Sequence, residues 1–252
     1  GQMDATLTFL SNFLISQKFI TAFSILFGFG FYIQMTRAAE KNIQFRSYFL
    51  IRMGLLFLIG VIHSYGIWNG DILMAYAFGG VFLLLVRDWS VKRLLLLAIL
   101  FNVVLTGIFF IGNSALGWQI YDYDYALDKE YPITPSIIRY LTINFIMNPW
   151  SNFLKDLPIT LVFTFGNMLV GMILGKLDFF RLSQKARKIS VYLIGLGATI
   201  GFVSSYFYHK ITVGEIALDL PLLWVPFLLA GGMVLHSLFY ISVFVRAYQH
   251  PR

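Results

Sequence analysis

The chain has no cysteine, so it can form no disulfide and carries no thiol nucleophile or thiolate metal cluster. It is also poor in charge: Asp, Glu, Lys and Arg make up 12% of the residues, against about 25% in an ordinary soluble domain. None of the patterns G-x-x-x-x-G-K-[ST], H-E-x-x-H or G-x-S-x-G occurs, which leaves P-loop nucleotide hydrolysis, zincin chemistry and α/β-hydrolase chemistry without support. No cationic segment precedes an apolar core at Gly1-Gln2-Met3, so the start does not read as a targeting signal.

What the chain has in place of charge is apolar length. Hydrophobic residues reach 58% and the mean hydropathy is +0.75. Runs of roughly 17 to 25 apolar residues recur along the sequence, each long enough as a helix to cross a hydrocarbon core of about 30 Å. The expected fold is an all-α, polytopic integral membrane helix bundle forming a single membrane-embedded domain. About seven transmembrane helices are expected, near 19–35, 47–67, 71–86, 94–112, 157–175, 189–208 and 221–245. Shorter amphipathic or re-entrant pieces are expected at 5–16 and 136–148.

The net charge of +7 reads as topology. With the first span running outside to inside, the inner side collects 14 of the 19 basic residues, among them Arg37, Arg46, Arg52, Arg87, Lys92 and Lys185. Nine of the 12 acidic residues fall on the outer side, so one orientation satisfies the positive-inside rule and the other violates it. Membrane lipids, not nucleic acid, are the partners this charge implies. The expected location is a membrane that the chain crosses several times. A chain that begins outside normally needs an earlier span, so the sequence is expected to be part of a longer protein.

The outward loop at 113–135 is acidic and tyrosine-rich; it reads as a solvated loop or as a lid over a substrate. Gly171 and Gly175 form a G-x-x-x-G pair, and Gly28 with Gly30 thins another span, so close helix approach is expected at both.

Chemistry is expected where two apolar runs meet, at Ile62-His63-Ser64-Tyr65-Gly66-Ile67-Trp68-Asn69-Gly70-Asp71-Ile72. Ionisable groups at the rim of a hydrocarbon layer are costly to keep there and carry a presumption of function. His63 lies one and a half to two turns below the outer rim, where it serves either as a hydrogen-bonded structural residue or as a general base. Asp71 reads as an N-cap of the next helix or as the carboxylate that orients His63. Trp68 suits an aromatic belt or a substrate contact. Arg52 either snorkels to the inner interface or binds an anionic phosphate or pyrophosphate, and Lys18 is an outer-rim anchor or a substrate contact. His236 reads as a buried, hydrogen-bonded residue, and His209 and His250 as loop residues.

The patterns Gln17-Lys18-Phe19, Phe23-Ser24-Ile25-Leu26-Phe27-Gly28-Phe29-Gly30, Gly60-Val61-Ile62-His63, Trp68-Asn69-Gly70-Asp71-Ile72-Leu73 and Tyr76-Ala77 resemble the front half of the bacterial YeiB family, whose later part is the domain of unknown function DUF418. The motif resemblance covers about residues 17–77. Two features of that family, an L-D-x-x-R-G helix and a G-R-M-x-x-T-N-Y segment, would fall before residue 1 and after Arg252. The family is loosely associated with transport and resembles the wider group of transmembrane acyltransferases. That resemblance implies transfer of an acyl group from cytosolic acyl-CoA, acetyl-CoA being one candidate, to a small-molecule or glycan acceptor at the outer face, with no metal and with a homodimer as the expected assembly. On this reading His63 and Asp71 are catalytic, Arg52 binds the CoA phosphates, and Lys18 and Trp68 contact substrate. The alternatives are a transporter or lipid-handling protein, in which His63 and Asp71 relay protons or hold cargo, and a scaffold without turnover.

Overall fold

The computed structural model describes residues 2–67, 71–115, 149–181, 183–216 and 224–249, together with 141 and 145. Among these residues all regular structure is helical. Helix α1 (Gln2–Leu10) passes through a π-helical stretch, Ser11–Ile15, to a break at which Gln17 takes a left-handed φ of 66°. Helices α2 (Lys18–Glu40), α3 (Phe45–Gly66) and α4 (Leu73–Val86) follow. Next, α5 (Val91–Ile99) continues through a second π-helical stretch, Leu100–Leu105, into α6 (Thr106–Ala115). Then come α7 (Pro149–Lys176) and α8 (Gln184–Leu196), the latter joined through Gly197–Gly201 to α9 (Phe202–Thr212), and last α10 (Val225–Gln249).

Local sequence explains several of the ends. Ser183 Oγ accepts from the Ala186 amide at 3.1 Å and Ser90 Oγ from the Arg93 amide at 3.4 Å, each taking up a donor that the first turn leaves free. Helices α2 and α7 both stop at a left-handed residue, Asn42 and Asp178, followed by an amide that turns back onto a carbonyl of the last turn. Those bonds are Ile43 to Ala38 at 2.9 Å and Phe179 to Leu174 at 3.0 Å, the pattern that closes a helix C-terminus.

Among the described residues six helical stretches are long and apolar enough to cross a membrane: Met3–Glu40, Phe45–Gly66, Val91–Gly112, Phe153–Lys176, Gln184–Thr212 and Val225–Tyr248. The chain is a multi-pass membrane protein. Ile51, Leu55, Leu58 and Ile62 form an exposed stripe at helical spacing on α3, as expected of a face turned to lipid. The seventh expected span, 71–86, is realised as the 14-residue α4, about 21 Å long at the helical rise and shorter than a hydrocarbon core. Met74, Ala75, Ala77, Leu83 and Val86 are buried against protein, while Phe78, Val81, Phe82 and Leu85 form an exposed apolar stripe at helical spacing, so α4 packs on one face and leaves the other open to lipid. The expected piece at 5–16 is helical, while the piece at 136–148 and the loop at 113–135 fall largely outside the described residues.

The helices assemble around α7. Helices α2 and α7 run parallel and meet backbone to backbone: a Cβ on Gly28 would collide with the Met168 carbonyl, and one on Gly171 with the Ile25 carbonyl. Gly175 lies against the Tyr32 ring. Gly30, by contrast, has Gln34 Nε2 as its nearest neighbour at 3.9 Å and is not a contact point. Met168 is fully buried, and its Sδ lies 2.9 Å from where a Cβ of Gly79 on α4 would stand, so the same residue sets the α4–α7 separation. On the other side of α2, Phe31 packs edge-on against Phe45 and Phe49, with ring centroids 5.3 and 4.9 Å away.

Gly171→Ala should lower stability by at least the roughly 1–3 kcal/mol of overpacking. Gly54→Ala, where no atom lies within 4 Å, is the control. Thermal unfolding in lipid nanodiscs measures both, and equal melting of the two variants would contradict the backbone contact.

Candidate functional site

His63 lies in the last turn of α3 and Asp71 just ahead of α4. Gly60, one turn before His63, is what lets the two meet. A Cβ there would stand 2.8 Å from the Met74 amide nitrogen and 2.9 Å from Asp71 Oδ2, so glycine admits the start of α4 against α3. Asp71 Oδ2 accepts a hydrogen bond from the Met74 amide at 3.0 Å and caps α4. Asp71 Oδ1 lies 2.9 Å from His63 Nδ1. The atoms are in ion-pair range, but the ring is turned away from good hydrogen-bond alignment, so neither of these buried atoms has a well-angled partner. The Asp71 carboxylate is wholly buried, whereas the His63 side chain is 30% exposed. One carboxylate therefore both starts a helix and faces an imidazole that is open on its other side.

Tyr76, one turn into α4, ties that helix to α2. Its hydroxyl lies 3.0 Å from Ser24 Oγ and 3.2 Å from the Ile20 carbonyl, to which Ser24 Oγ also donates at 2.8 Å. Trp68, Asn69 and Gly70 lie outside the described residues.

The other expected site residues are elsewhere. Arg52 is exposed on α3; it donates to Tyr48 Oη at 3.2 Å and sits over that ring, 5.6 Å from its centroid. It borders a cleft of about 380 Å³ that also holds Gln34, whose buried Oε1 has no hydrogen-bond partner. Lys18 does not snorkel to an interface, because it is fully buried. Its ammonium donates to the Asn12 carbonyl at 2.6 Å and lies over Tyr208, 5.5 Å from the ring centroid, with no carboxylate partner among the described residues.

Lys18 belongs to a second polar cluster formed by the α1–α2 break, α9 and α10. His236 is fully buried there, with Nδ1 at 2.7 Å from Ser205 Oγ and its Nε2 without a partner. Phe13, Phe202 and Tyr240 surround the ring at centroid distances of 5.7, 4.6 and 4.8 Å. Ser237 Oγ donates to the Lys18 carbonyl at 3.1 Å. His209 is not a loop residue: it lies in α9, is 8% exposed and faces Asn12 Nδ2 at 3.5 Å. His250 lies outside the described residues. The His236–Ser205 pairing joins two helices 31 residues apart, so neither residue's neighbours in sequence signal it.

These helices and this rim site define a multi-pass membrane protein whose relatives are of the same kind as its motifs. YxaH of Bacillus subtilis strain 168, an uncharacterised protein, is 29% identical over 259 residues, covering 96% of this chain and 60% of its own. YeiB of Escherichia coli K12, also uncharacterised, is 39% identical over 98 residues, or 38% of this chain and 24% of its own. The chain thus spans less than two thirds of each relative, and its similarity to both is in line with the YeiB resemblance of its motifs. No family model matches, so the DUF418 assignment rests on the motif resemblance alone, and no solved structure matches.

Asn caps a helix about as well as Asp, so Asp71→Asn should melt within about 0.5 kcal/mol of the wild type while Asp71→Ala loses about 1 kcal/mol. Thermal unfolding decides this, and an equal loss in both variants would mean that the carboxylate charge, not the cap, holds α4 in place.

Proposed function

We propose that the protein is an acyltransferase of the bacterial cytoplasmic membrane that moves an acyl group from cytosolic acyl-CoA to an acceptor at the outer face. The observation that carries this reading is the 2.9 Å approach of a fully buried carboxylate, Asp71, to Nδ1 of the partly exposed His63. A carboxylate on Nδ1 favours the tautomer with its proton there and leaves Nε2 as the basic nitrogen. Nε2 would take the proton of an acceptor hydroxyl or amine as that atom attacks the thioester carbonyl. The carbon–sulfur bond then breaks, CoA leaves as a thiolate, and the imidazolium returns a proton to it. The products are the acylated acceptor, a small molecule or a glycan, and CoA.

Arg52 is the residue for the CoA phosphates, because an exposed guanidinium on the inner half of α3 suits a phosphate, and its cleft is open beside it. It precedes His63 by eleven residues on one helix, about 16 Å of rise, which the pantetheine arm would have to bridge. Lys18 and Trp68 remain candidates for contacts to substrate.

A second reading, proton-coupled transport or lipid handling, draws support from the buried His236, which acyl transfer does not use, and from the burial of Lys18 near it, since ionisable groups inside a membrane tend to mark ion and proton paths. Acetyl-CoA consumption by the protein in sealed vesicles separates the two. Acyl transfer predicts turnover that His63→Ala lowers by about 10²–10⁴ without a change in melting, as for loss of a general base. Arg52→Ala should chiefly raise the KM for acetyl-CoA. Proton-linked flux with no acyl-CoA consumed, or full turnover in His63→Ala, would overturn the proposal.

A further inference from the structure

A cavity of about 320 Å³ lies among α2, the α5–α6 π-helical stretch, α7, α9 and α10. That volume is at the lower end of the range of small-ligand sites, about 300–1,000 Å³. Among the described residues no Asp, Glu, Lys, Arg or His lines it. Its polar groups are carboxamides and hydroxyls, set between the Phe109, Phe110 and Phe163 side chains.

Two of the carboxamides are incomplete. Asn167, 5% exposed, donates Nδ2 to the Phe163 carbonyl at 2.7 Å, and its Oδ1 has no partner. Asn102, 7% exposed, has no partner for Nδ2. Asn102 sits on the π-helical stretch Leu100–Leu105, and Thr106 Oγ1 takes up the Phe101 carbonyl at 2.9 Å. Such bulges recur at functional sites because they turn side chains off the regular helical face. A buried amide donor and a buried amide acceptor on one cavity wall, both unanswered by protein, call for a group that answers them.

We propose that this cavity binds an uncharged ligand group carrying a hydrogen-bond acceptor for Asn102 Nδ2 and a donor for Asn167 Oδ1, namely a hydroxyl pair or a secondary amide. Aromatic walls suit the apolar faces of such a group, and the absence of any lining charge selects against ions in a low-dielectric interior. Ile72, next in sequence to Asp71, forms part of the wall, so the cavity abuts the α3–α4 connection. The binding itself does not depend on acyl transfer.

Two sources share this chemistry, a sugar-like acceptor and the pantetheine arm of a CoA thioester. Calorimetric titration of the purified protein in lipid nanodiscs with methyl β-D-glucopyranoside and, separately, with pantetheine distinguishes them. Saturable binding of the glucoside assigns hydroxyls, and saturable binding of pantetheine assigns the amide. Asn102→Leu and Asn167→Leu should each weaken that binding about tenfold or more, as loss of a buried hydrogen bond does. No acyl donor is present in either titration, which keeps this result apart from any result on turnover. Where a Leu variant fails to melt cooperatively, Ala230→Val, which fills the cavity from α10, should abolish binding instead. Failure of both probes to saturate at millimolar concentration, or unchanged binding in the folded variants, would overturn the proposal.

Discussion

The backbone contact between α2 and α7 is the constraint on which the remaining packing depends. In lipid, helices gain little from hiding apolar surface from one another, so close packing must hold them, and glycine is what allows it. Gly28 admits the Met168 carbonyl and Gly171 admits the Ile25 carbonyl, so each helix supplies the notch that the other fills. Met168 then meets Gly79 and sets the place of α4, while Gly166 leaves room for the Asn102 carboxamide from the α5–α6 stretch. The wall of the interior cavity and the position of Asp71 at the head of α4 both follow from this crossing.

Beside the Tyr76–Ser24 contact, three groupings of polar side chains stand out inside the bundle, two of which share Tyr208. The His63–Asp71 pair sits at the C-terminal end of α3, the Lys18–His236–Ser205 cluster lies between the α1–α2 break and α10, and the Asn102 and Asn167 carboxamides face the cavity. Burying such groups costs free energy unless partners answer them. Ser205 answers one nitrogen of His236, and the Asn12 carbonyl with the Tyr208 ring answers Lys18. The helix bond to Met74 answers one oxygen of Asp71 and leaves the other for His63. The same carboxylate caps α4 and lies 2.9 Å from the imidazole, so the candidate base sits against the head of that helix.

Much of this was legible in the sequence because it is local or periodic. The long spans follow from apolar length, and His63 and Asp71 stand out as two ionisable residues flanking one short connection, but their approach depends on the packing of α4 on Gly60, which only the fold shows. Gly28 and the Gly171–Gly175 pair announced close packing, although Gly30 beside them proved open. The burial of Lys18 was not legible, since Tyr208 and Ser237, which lie against it, are about two hundred residues away in the chain. The burial of one face of α4 depends likewise on helices distant in sequence, such as α7, whose Met168 meets Gly79. Asn102 and Asn167 left a signal that could have been read, a lone carboxamide in each of two apolar runs, but only the fold shows that they share a cavity.

The central claim is that His63 and Asp71 act as one unit, and a double-mutant cycle on acyl transfer tests it most directly. Initial rates with acetyl-CoA would be measured for the wild type, His63→Ala, Asp71→Asn and the double variant, all checked for unchanged melting. If Asp71 acts through the imidazole, removing it after His63 is gone costs nothing further, and the double variant matches His63→Ala. Losses that multiply would show that the two residues act independently and would contradict the account.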